Sequence, residues 1–182
     1  MEIREKAQLM TATEVERALN RLAHEIIERN RGTRQLALIG IRRRGVPLAR
    51  RLAKAIFDFE KVEIPVGYLD INLYRDDLST VSTQPVIQST EIHFSIVDLS
   101  VVLVDDVLYT GRTVRAGMDA LLDFGRPKSI QLCVLIDRGH RELPIEANYV
   151  GKSVQTTSDE IVEVKLTEID GMEGVLLVEK IA

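Results

Sequence analysis

Residues 101–113 read VVLVDDVLYTGRT, and this stretch decides the fold. The continuous apolar run at its start is typical of a strand buried on both faces of a parallel sheet. We expect the strand to stop at the adjacent carboxylates Asp105 and Asp106. A turn of hydroxyl-bearing residues and glycine follows, and apolar residues at helical spacing then predict a helix that ends near Gly125. A strand, a polar turn and a helix in this order are typical of α/β folds.

The same succession appears on both sides of this stretch. Upstream, a helix with a capping-box sequence at Thr13 and Glu16 is predicted to run to about Asn30, and a second helix opens at Pro47. Apolar strands that alternate with such helices predict an α/β fold, mainly a parallel sheet flanked by helices. The other predicted strands cover residues 35–41, 64–71, 130–136 and 161–164.

Three polar segments follow predicted strands of this sheet. Ligands of parallel sheets bind at the carboxyl ends of the strands, so side chains in these segments are candidates for one common site. The segments are residues 42–45, 105–113 and 137–141.

The composition is that of an ordinary globular protein, with 45% apolar and 29% charged residues in a chain of 182. A formal net charge of −4 gives no overall attraction to nucleic acid or to an anionic membrane. The single cysteine, Cys133, lies in an apolar run, and no uncharged stretch reaches membrane-spanning length. We therefore expect a cytoplasmic protein without disulfides or a membrane segment.

Two adjacent carboxylates after a buried strand are costly unless hydroxyl donors or a cation face them. The turn behind Asp105 and Asp106 supplies hydroxyl groups, a guanidinium and the flexible backbone of Gly111, at a helix N-terminus that favours phosphate. Sugar hydroxyls beside a phosphate describe a ribose 5-phosphate. For the acidic pair alone, the alternative is a strand that ends in a capped turn without a ligand.

The whole stretch resembles the signature of type I phosphoribosyltransferases that binds phosphoribosyl pyrophosphate (PRPP). Further motifs point to the PyrR family, uracil phosphoribosyltransferases that also regulate pyrimidine operons by binding messenger RNA. The resemblance implies a single-domain fold over residues 1–182, with a small hood and a flexible catalytic loop at about residues 72–95. The motifs are residues 21–25, 40–45, 73–78 and 137–145.

The resemblance also implies the site residues. It assigns catalysis to Asp105, Asp106 and Arg75. Binding of the acceptor base is assigned to Arg138, Ile161 and Val162. Mg²⁺ would enter with PRPP, held mostly by PRPP oxygens and water, so we expect no metal site built from protein ligands. PRPP is assigned to Arg43, Arg44, Asp105, Asp106, Val107, Leu108, Tyr109, Thr110, Gly111, Arg112 and Thr113.

The acceptor base is indicated by Tyr109. Purine-using members of the superfamily place an aspartate there, next to the base nitrogen that loses its proton. Uracil is more acidic than a purine and gains less from a positioned general base. The absence of an aspartate at position 109 therefore favours uracil. A purine phosphoribosyltransferase is the alternative, and it predicts an acidic residue at this position.

The resemblance further implies RNA binding to a pyrimidine-operon leader and assembly into a homodimer or homotetramer. The residues assigned to RNA are Arg17, Arg21 and His24 on the first helix, with His140 and Arg141 after the fourth strand. Asn20 and Glu146 depart from the threonine and arginine that relatives commonly have, and Glu146 places an anion on a surface meant for phosphate. A dedicated transferase without RNA binding is therefore the open alternative.

Overall fold

The computed structural model describes residues 2–71 and 90–181. Along the chain, the elements are β1 (Glu2–Met10), α1 (Ala12–Asn30), β2 (Leu36–Ile41), α2 (Gly45–Glu60), β3 (Val66–Leu69), β4 (Ser100–Leu108), α3 (Arg112–Leu122), β5 (Ser129–Asp137), β6 (Tyr149–Ser153), β7 (Glu160–Lys165), α4 (Thr167–Asp170) and β8 (Gly174–Ile181).

A parallel sheet with strand order β3-β2-β4-β5-β6 forms the centre of the fold. Helices α1 and α2 pack on one face of this sheet, and α3 packs on the other. A small antiparallel sheet with order β1-β8-β7 forms a second layer, which we call the hood. The predicted α/β architecture is therefore confirmed, including the helices on both faces.

Helix α1 is capped two residues earlier than predicted. Its capping box joins Thr11 and Glu14: the Thr11 hydroxyl accepts the Glu14 N–H at 3.2 Å, and the Glu14 carboxylate accepts the Thr11 N–H at 3.4 Å. The prediction of Thr13 and Glu16 was wrong because β1 ends at Met10 and the helix starts at Ala12, which leaves Thr13 inside the first turn. The predicted end at Asn30 is correct.

Strand β4 does not stop at the acidic pair. It continues to Leu108 because Asp105 and Leu108 still pair with Val134 and Asp137 of β5. The following helix, α3, ends at Leu122, three residues before the predicted Gly125. The acidic pair therefore lies within the paired end of β4 and not in the turn after it.

Cys133 is buried among apolar side chains on the α1 and α2 face of the sheet. Burial raises the pKa of its thiol to about 12, so the group stays neutral and unreactive at neutral pH. In the described part of the chain, every helix is too short or too polar to cross a membrane.

Candidate active site

The site lies where the strand order of the parallel sheet reverses. From β2 the chain moves outward to β3 on one side, whereas β4, β5 and β6 follow on the other. Such a reversal opens a crevice at the carboxyl ends of the two central strands, and ligands of open α/β sheets bind there. The crevice is bordered by residues 42–44 after β2 and by residues 105–113 at the end of β4.

Two glycines bring these two segments together. A Cβ atom on Gly45 would lie 2.2 Å from the carbonyl oxygen of Val104, and one on Gly40 would lie 2.4 Å from the carbonyl oxygen of Gly45. Real Cβ contacts of this length do not occur, so the start of α2 packs directly on the β2 and β4 backbones. The turn at residues 42–44 is therefore held beside Asp105.

The acidic pair is held by its own backbone. The Asp105 carboxylate accepts the Asp106 N–H at 2.9 Å, and the Asp106 carboxylate accepts the Val107 N–H at 2.9 Å. Asp105 is only 6% exposed, and Asp106 is half-buried. These bonds fix both side chains at the edge of the crevice, as binding of two sugar hydroxyls requires.

The turn after β4 encloses a small cavity of about 90 Å³. Gly111 adopts a left-handed φ of 93° directly before α3, which a side chain would strain, and the Thr110 hydroxyl accepts the Arg112 N–H at 3.3 Å. A helix N-terminus and successive backbone N–H groups make this cavity suitable for a phosphate. It is lined by Val107, Leu108, Tyr109, Thr110, Gly111, Thr113 and Val114.

The three arginines of the turn after β2 differ in their surroundings. Arg44 donates to the carbonyl oxygen of Val164 and to the Asp170 carboxylate, both at 2.8 Å, and so joins the turn to the hood side of the molecule. Arg42 lies 3.8 Å from the Glu91 carboxylate. Arg43 is exposed, and it is therefore the arginine best placed to reach a ligand anion.

The candidate base-binding residues lie directly after β5 and on β7. Arg138 is 5% exposed, donates to the Thr157 and Glu160 carbonyl oxygens at 3.1 and 2.8 Å, and stacks 3.9 Å from the centre of the Tyr109 ring. Burial lowers the pKa of Arg138 from its usual value, but an arginine stays charged. Ile161, next to Glu160 on β7, is half-buried, whereas Val162 is buried in the core.

The predicted RNA contacts on α1 are exposed, as their spacing opposite the buried face requires. Arg21 is nevertheless engaged: it pairs with Glu25 at 2.7 Å and donates to the Gly151 carbonyl oxygen of β6 at 2.6 Å. The His24 ring packs edge-on against Phe59, with ring centres 4.0 Å apart. Arg17 is also exposed.

The other two predicted RNA contacts lie after β5. The ring nitrogen Nε2 of His140 lies 2.5 Å from the Thr156 carbonyl oxygen, so a protonated Nε2 donates to it. The Arg141 guanidinium pairs with Asp137 at 2.7 Å and is half-buried. Both side chains are thus fixed by neighbours within the chain.

Arg75 and most of the predicted catalytic loop lie outside the described residues. The described end of the loop begins at Thr90, whose hydroxyl accepts the Asp70 N–H at 3.0 Å. Glu91 forms an isolated antiparallel bridge with Tyr68, with N–O distances of 2.8 and 2.9 Å. Tyr68 lies in β3 and Asp70 directly follows it, so Thr90 and Glu91 are held against the end of β3.

Sequence reasoning missed the residues that hold the hood in place. Lys6 of β1 pairs with Glu160 of β7 at 2.5 Å, and Arg51 of α2 pairs with Glu168 and Glu173 at 2.6 and 2.9 Å. The hydrogen bond and the charge of Glu160 raise the pKa of Lys6, and that of Glu160 is lowered. No sequence pattern marks these pairs, because the partners are more than 100 residues apart.

Solved structures with this fold include purine-using enzymes. The chain is similar to a hypoxanthine-guanine phosphoribosyltransferase from Bacillus anthracis, with a TM-score of 0.71, 20% identity, and coverage of 97% of this chain and 99% of that one. It is also similar to the hypoxanthine phosphoribosyltransferase of Trypanosoma cruzi, with a TM-score of 0.72, 19% identity, and coverage of 97% and 98%. At these identities the likeness shows the fold alone.

Sequence comparison is more specific. The phosphoribosyl transferase domain family matches residues 6–170. The bifunctional protein PyrR of Pelotomaculum thermopropionicum is 64% identical over 176 residues, which cover 97% of each chain, and that of Thermus thermophilus is 57% identical over 178 residues, which cover 98% of each. The chain therefore belongs to the PyrR family of phosphoribosyltransferases.

Proposed function

We propose that the protein transfers the phosphoribosyl group of PRPP to uracil, forming UMP and diphosphate. The observation that carries this proposal is the placement of three features around one crevice. The acidic pair at the end of β4 suits a ribose, the 90 Å³ cavity behind it suits a 5-phosphate, and the arginine turn after β2 suits a diphosphate. The sequence similarity to the PyrR relatives extends over nearly the whole length of both chains.

In the proposed reaction, the bond from the ribose C1 atom to diphosphate breaks as C1 bonds to N1 of uracil. The N1 proton passes to water, and the diphosphate departs with the electron pair of the broken bond. The protein holds the ribose through Asp105 and Asp106, and Arg43 offsets charge on the departing diphosphate. Arg75 remains a prediction for a second diphosphate contact.

We propose that Mg²⁺ enters with PRPP. Within residues 2–71 and 90–181, His, Cys, Asp and Glu side chains form no group of three that would hold a metal. The donors at the site are the Asp105 and Asp106 carboxylates, which fits a hydrated ion that takes most of its ligands from PRPP and water. Bound there, Mg²⁺ would neutralise charge on the diphosphate.

The acceptor preference gives a first prediction. The kcat/KM for uracil should exceed those for hypoxanthine and guanine by roughly 100-fold or more, because Tyr109 offers no carboxylate base and its ring is covered by Arg138. Release of diphosphate from PRPP with each base measures this. Tyr109→Phe keeps the stacked ring and should keep the preference, and comparable wild-type rates with hypoxanthine contradict the proposal.

We also propose that the protein binds pyrimidine-operon leader RNA and regulates expression of the operon. Two observations favour this second function: the relatives are bifunctional proteins by name, and α1 presents the exposed cation Arg17 together with Arg21 and His24. A homodimer or homotetramer remains a prediction, which analytical ultracentrifugation measures directly.

The RNA surface gives a second prediction. Arg17→Ala should weaken leader-RNA binding and lower its salt slope by about 0.7 to 0.9, as expected when one phosphate contact is lost. Glu146→Arg should strengthen binding, since it replaces an exposed anion by a cation. Affinity is measured at several salt concentrations, with diphosphate release measured in parallel. Arg21→Ala is less clean, because it also removes the bond between α1 and β6.

The dedicated-enzyme alternative predicts a different outcome. In that case the wild type shows no preference for leader RNA over an unrelated RNA of equal length, and Glu146→Arg does not create one. This result removes the regulatory function without affecting the proposed transfer to uracil.

A further inference from the structure

The Arg141 guanidinium donates four hydrogen bonds within the chain. Its Nη2 atom donates to both carboxylate oxygens of Asp137, at 2.9 and 2.7 Å. Its Nη1 atom donates to the Tyr109 carbonyl oxygen at 2.7 Å, and its Nε atom donates to the Ile145 carbonyl oxygen at 2.9 Å. All three nitrogens of this fork are therefore used inside the chain, on the segment behind the phosphate cavity.

The segment that carries Arg141 holds two successive carbonyl groups of the phosphate turn. Arg141 takes the Tyr109 carbonyl, and the Thr110 carbonyl accepts the N–H groups of Glu142 and Leu143 at 2.9 and 3.3 Å. In a trans peptide the C=O and N–H groups point in opposite directions. The N–H groups of Thr110 and Gly111 are thus turned away from residues 141–143.

The same segment also supports the start of α3. A Cβ atom on Gly111 would lie 3.3 Å from the Ile145 side chain, so the glycine at the helix N-terminus packs closely on that residue. The Ile145 carbonyl is in turn held by Arg141. The Arg141 guanidinium therefore links the Tyr109 carbonyl of the phosphate turn to Ile145, on which Gly111 packs.

The geometry points to Arg141 as a positioning residue for the 5-phosphate turn, an inference that rests on the proposed function. Arg141 does not contact the phosphate. It acts through the Tyr109 carbonyl and the Asp137 carboxylate, which together keep the backbone N–H groups of residues 110 and 111 aimed at an anion. The direct RNA contact that the family resemblance implied for Arg141 stays a prediction.

The variants that test this role are Arg141→Ala and Arg141→Lys, with Arg126→Ala as a matched control. Arg126 is an exposed arginine between α3 and β5, and its carbonyl oxygen accepts the Asp98 N–H just before β4, so its removal deletes a similar side chain away from the turn. Two quantities are measured: KM for PRPP and for uracil by diphosphate release, and the affinity for ribose 5-phosphate by calorimetry without any base. Thermal melting shows whether each variant is folded.

For Arg141→Ala we expect KM for PRPP and the Kd of ribose 5-phosphate to rise about 10- to 100-fold, the loss typical of a displaced binding group. KM for uracil should change little, because the hood contacts are untouched. Arg141→Lys should be intermediate, since an ammonium lacks the planar fork that reaches three partners at once. Arg126→Ala should match the wild type in both quantities.

Unchanged ribose 5-phosphate affinity in folded Arg141→Ala overturns the inference, and so do equal rises in KM for both substrates. If the alanine variant does not fold, the lysine variant decides by the same two quantities. A wild type that does not bind ribose 5-phosphate also overturns the inference. A wild type that binds ribose 5-phosphate but does not use uracil contradicts the proposed function alone, because the calorimetric comparison needs no base.

Discussion

Replacing Asp105 and Asp106 together by asparagine is expected to reduce kcat/KM by roughly 100- to 10,000-fold while the protein stays folded. Each carboxylate is proposed to accept a ribose hydroxyl, and a hydrogen bond to a charged group contributes about 1.5 to 3 kcal/mol. Two such bonds amount to about 3 to 6 kcal/mol, and each 1.36 kcal/mol is about tenfold in rate. Asparagine keeps the oxygen that accepts the backbone N–H of the next residue, so the strand geometry survives.

The melting temperature of the double variant should be equal to or higher than that of the wild type. The two neighbouring carboxylates repel each other, and asparagine removes both charges while it keeps the bonds to the backbone N–H groups. Asp58→Asn with Asp119→Asn is the matched control, because both carboxylates are exposed helix residues with surface partners. Near-normal turnover of the Asp105 and Asp106 variant removes the acidic pair from the mechanism.

The single variants separate the two carboxylates. Successive residues of a strand point to opposite faces of the sheet, so Asp105 and Asp106 do not approach one ligand from the same side. We expect unequal losses in Asp105→Asn and Asp106→Asn, measured as kcat/KM for PRPP. Equal losses indicate that both contacts depend on the position of the shared backbone.

The central sheet was predictable because its strands are continuous apolar runs between polar turns. The hood was not. Strand β1 is charged and almost wholly exposed, and it is held mainly by pairing with β8, in which Glu2 lies opposite Ile181, and by the Lys6–Glu160 ion pair. A strand stabilised by a partner at the other end of the chain has no local signal, and charged side chains on such an edge also discourage pairing with other molecules.

The composition of the site was predictable to the same degree. Polar residues after neighbouring parallel strands must meet at one edge, which is why residues 42–44 and 105–113 come together. The state of each arginine was not predictable, because the partners are backbone carbonyls or distant carboxylates. Arg44 pairs with Asp170, 126 residues away, and Arg141 with the Tyr109 carbonyl, so neither side chain is as free as its basic neighbourhood implied.

At Gly45, a single added methyl group should lower both the stability and the activity of the protein. Gly45→Ala is expected to lower both stability and turnover, because the new Cβ would lie 2.2 Å from the Val104 carbonyl oxygen and 3.4 Å from the Cα atom of Asp105. The obstacle is backbone, which cannot rotate away as a side chain can. Overpacking of this kind typically costs about 1 to 3 kcal/mol, which lowers the melting temperature by several degrees.

Turnover should fall further than stability explains. To relieve the contact, the start of α2 must move away from β4, and this separates the arginine turn from the acidic pair. A displacement of about 1 Å at a reacting centre can cost roughly 100-fold in rate, so we expect a loss of that order in kcat/KM for PRPP at a temperature where the variant is folded. Gly117→Ala is the matched control, since its Cβ would meet side-chain atoms rather than backbone, with Ile41 Cδ1 at 3.1 Å and Leu69 Cδ2 at 3.8 Å, and alanine favours the helix. Wild-type melting and turnover in Gly45→Ala contradict the close packing that holds the two halves of the crevice together.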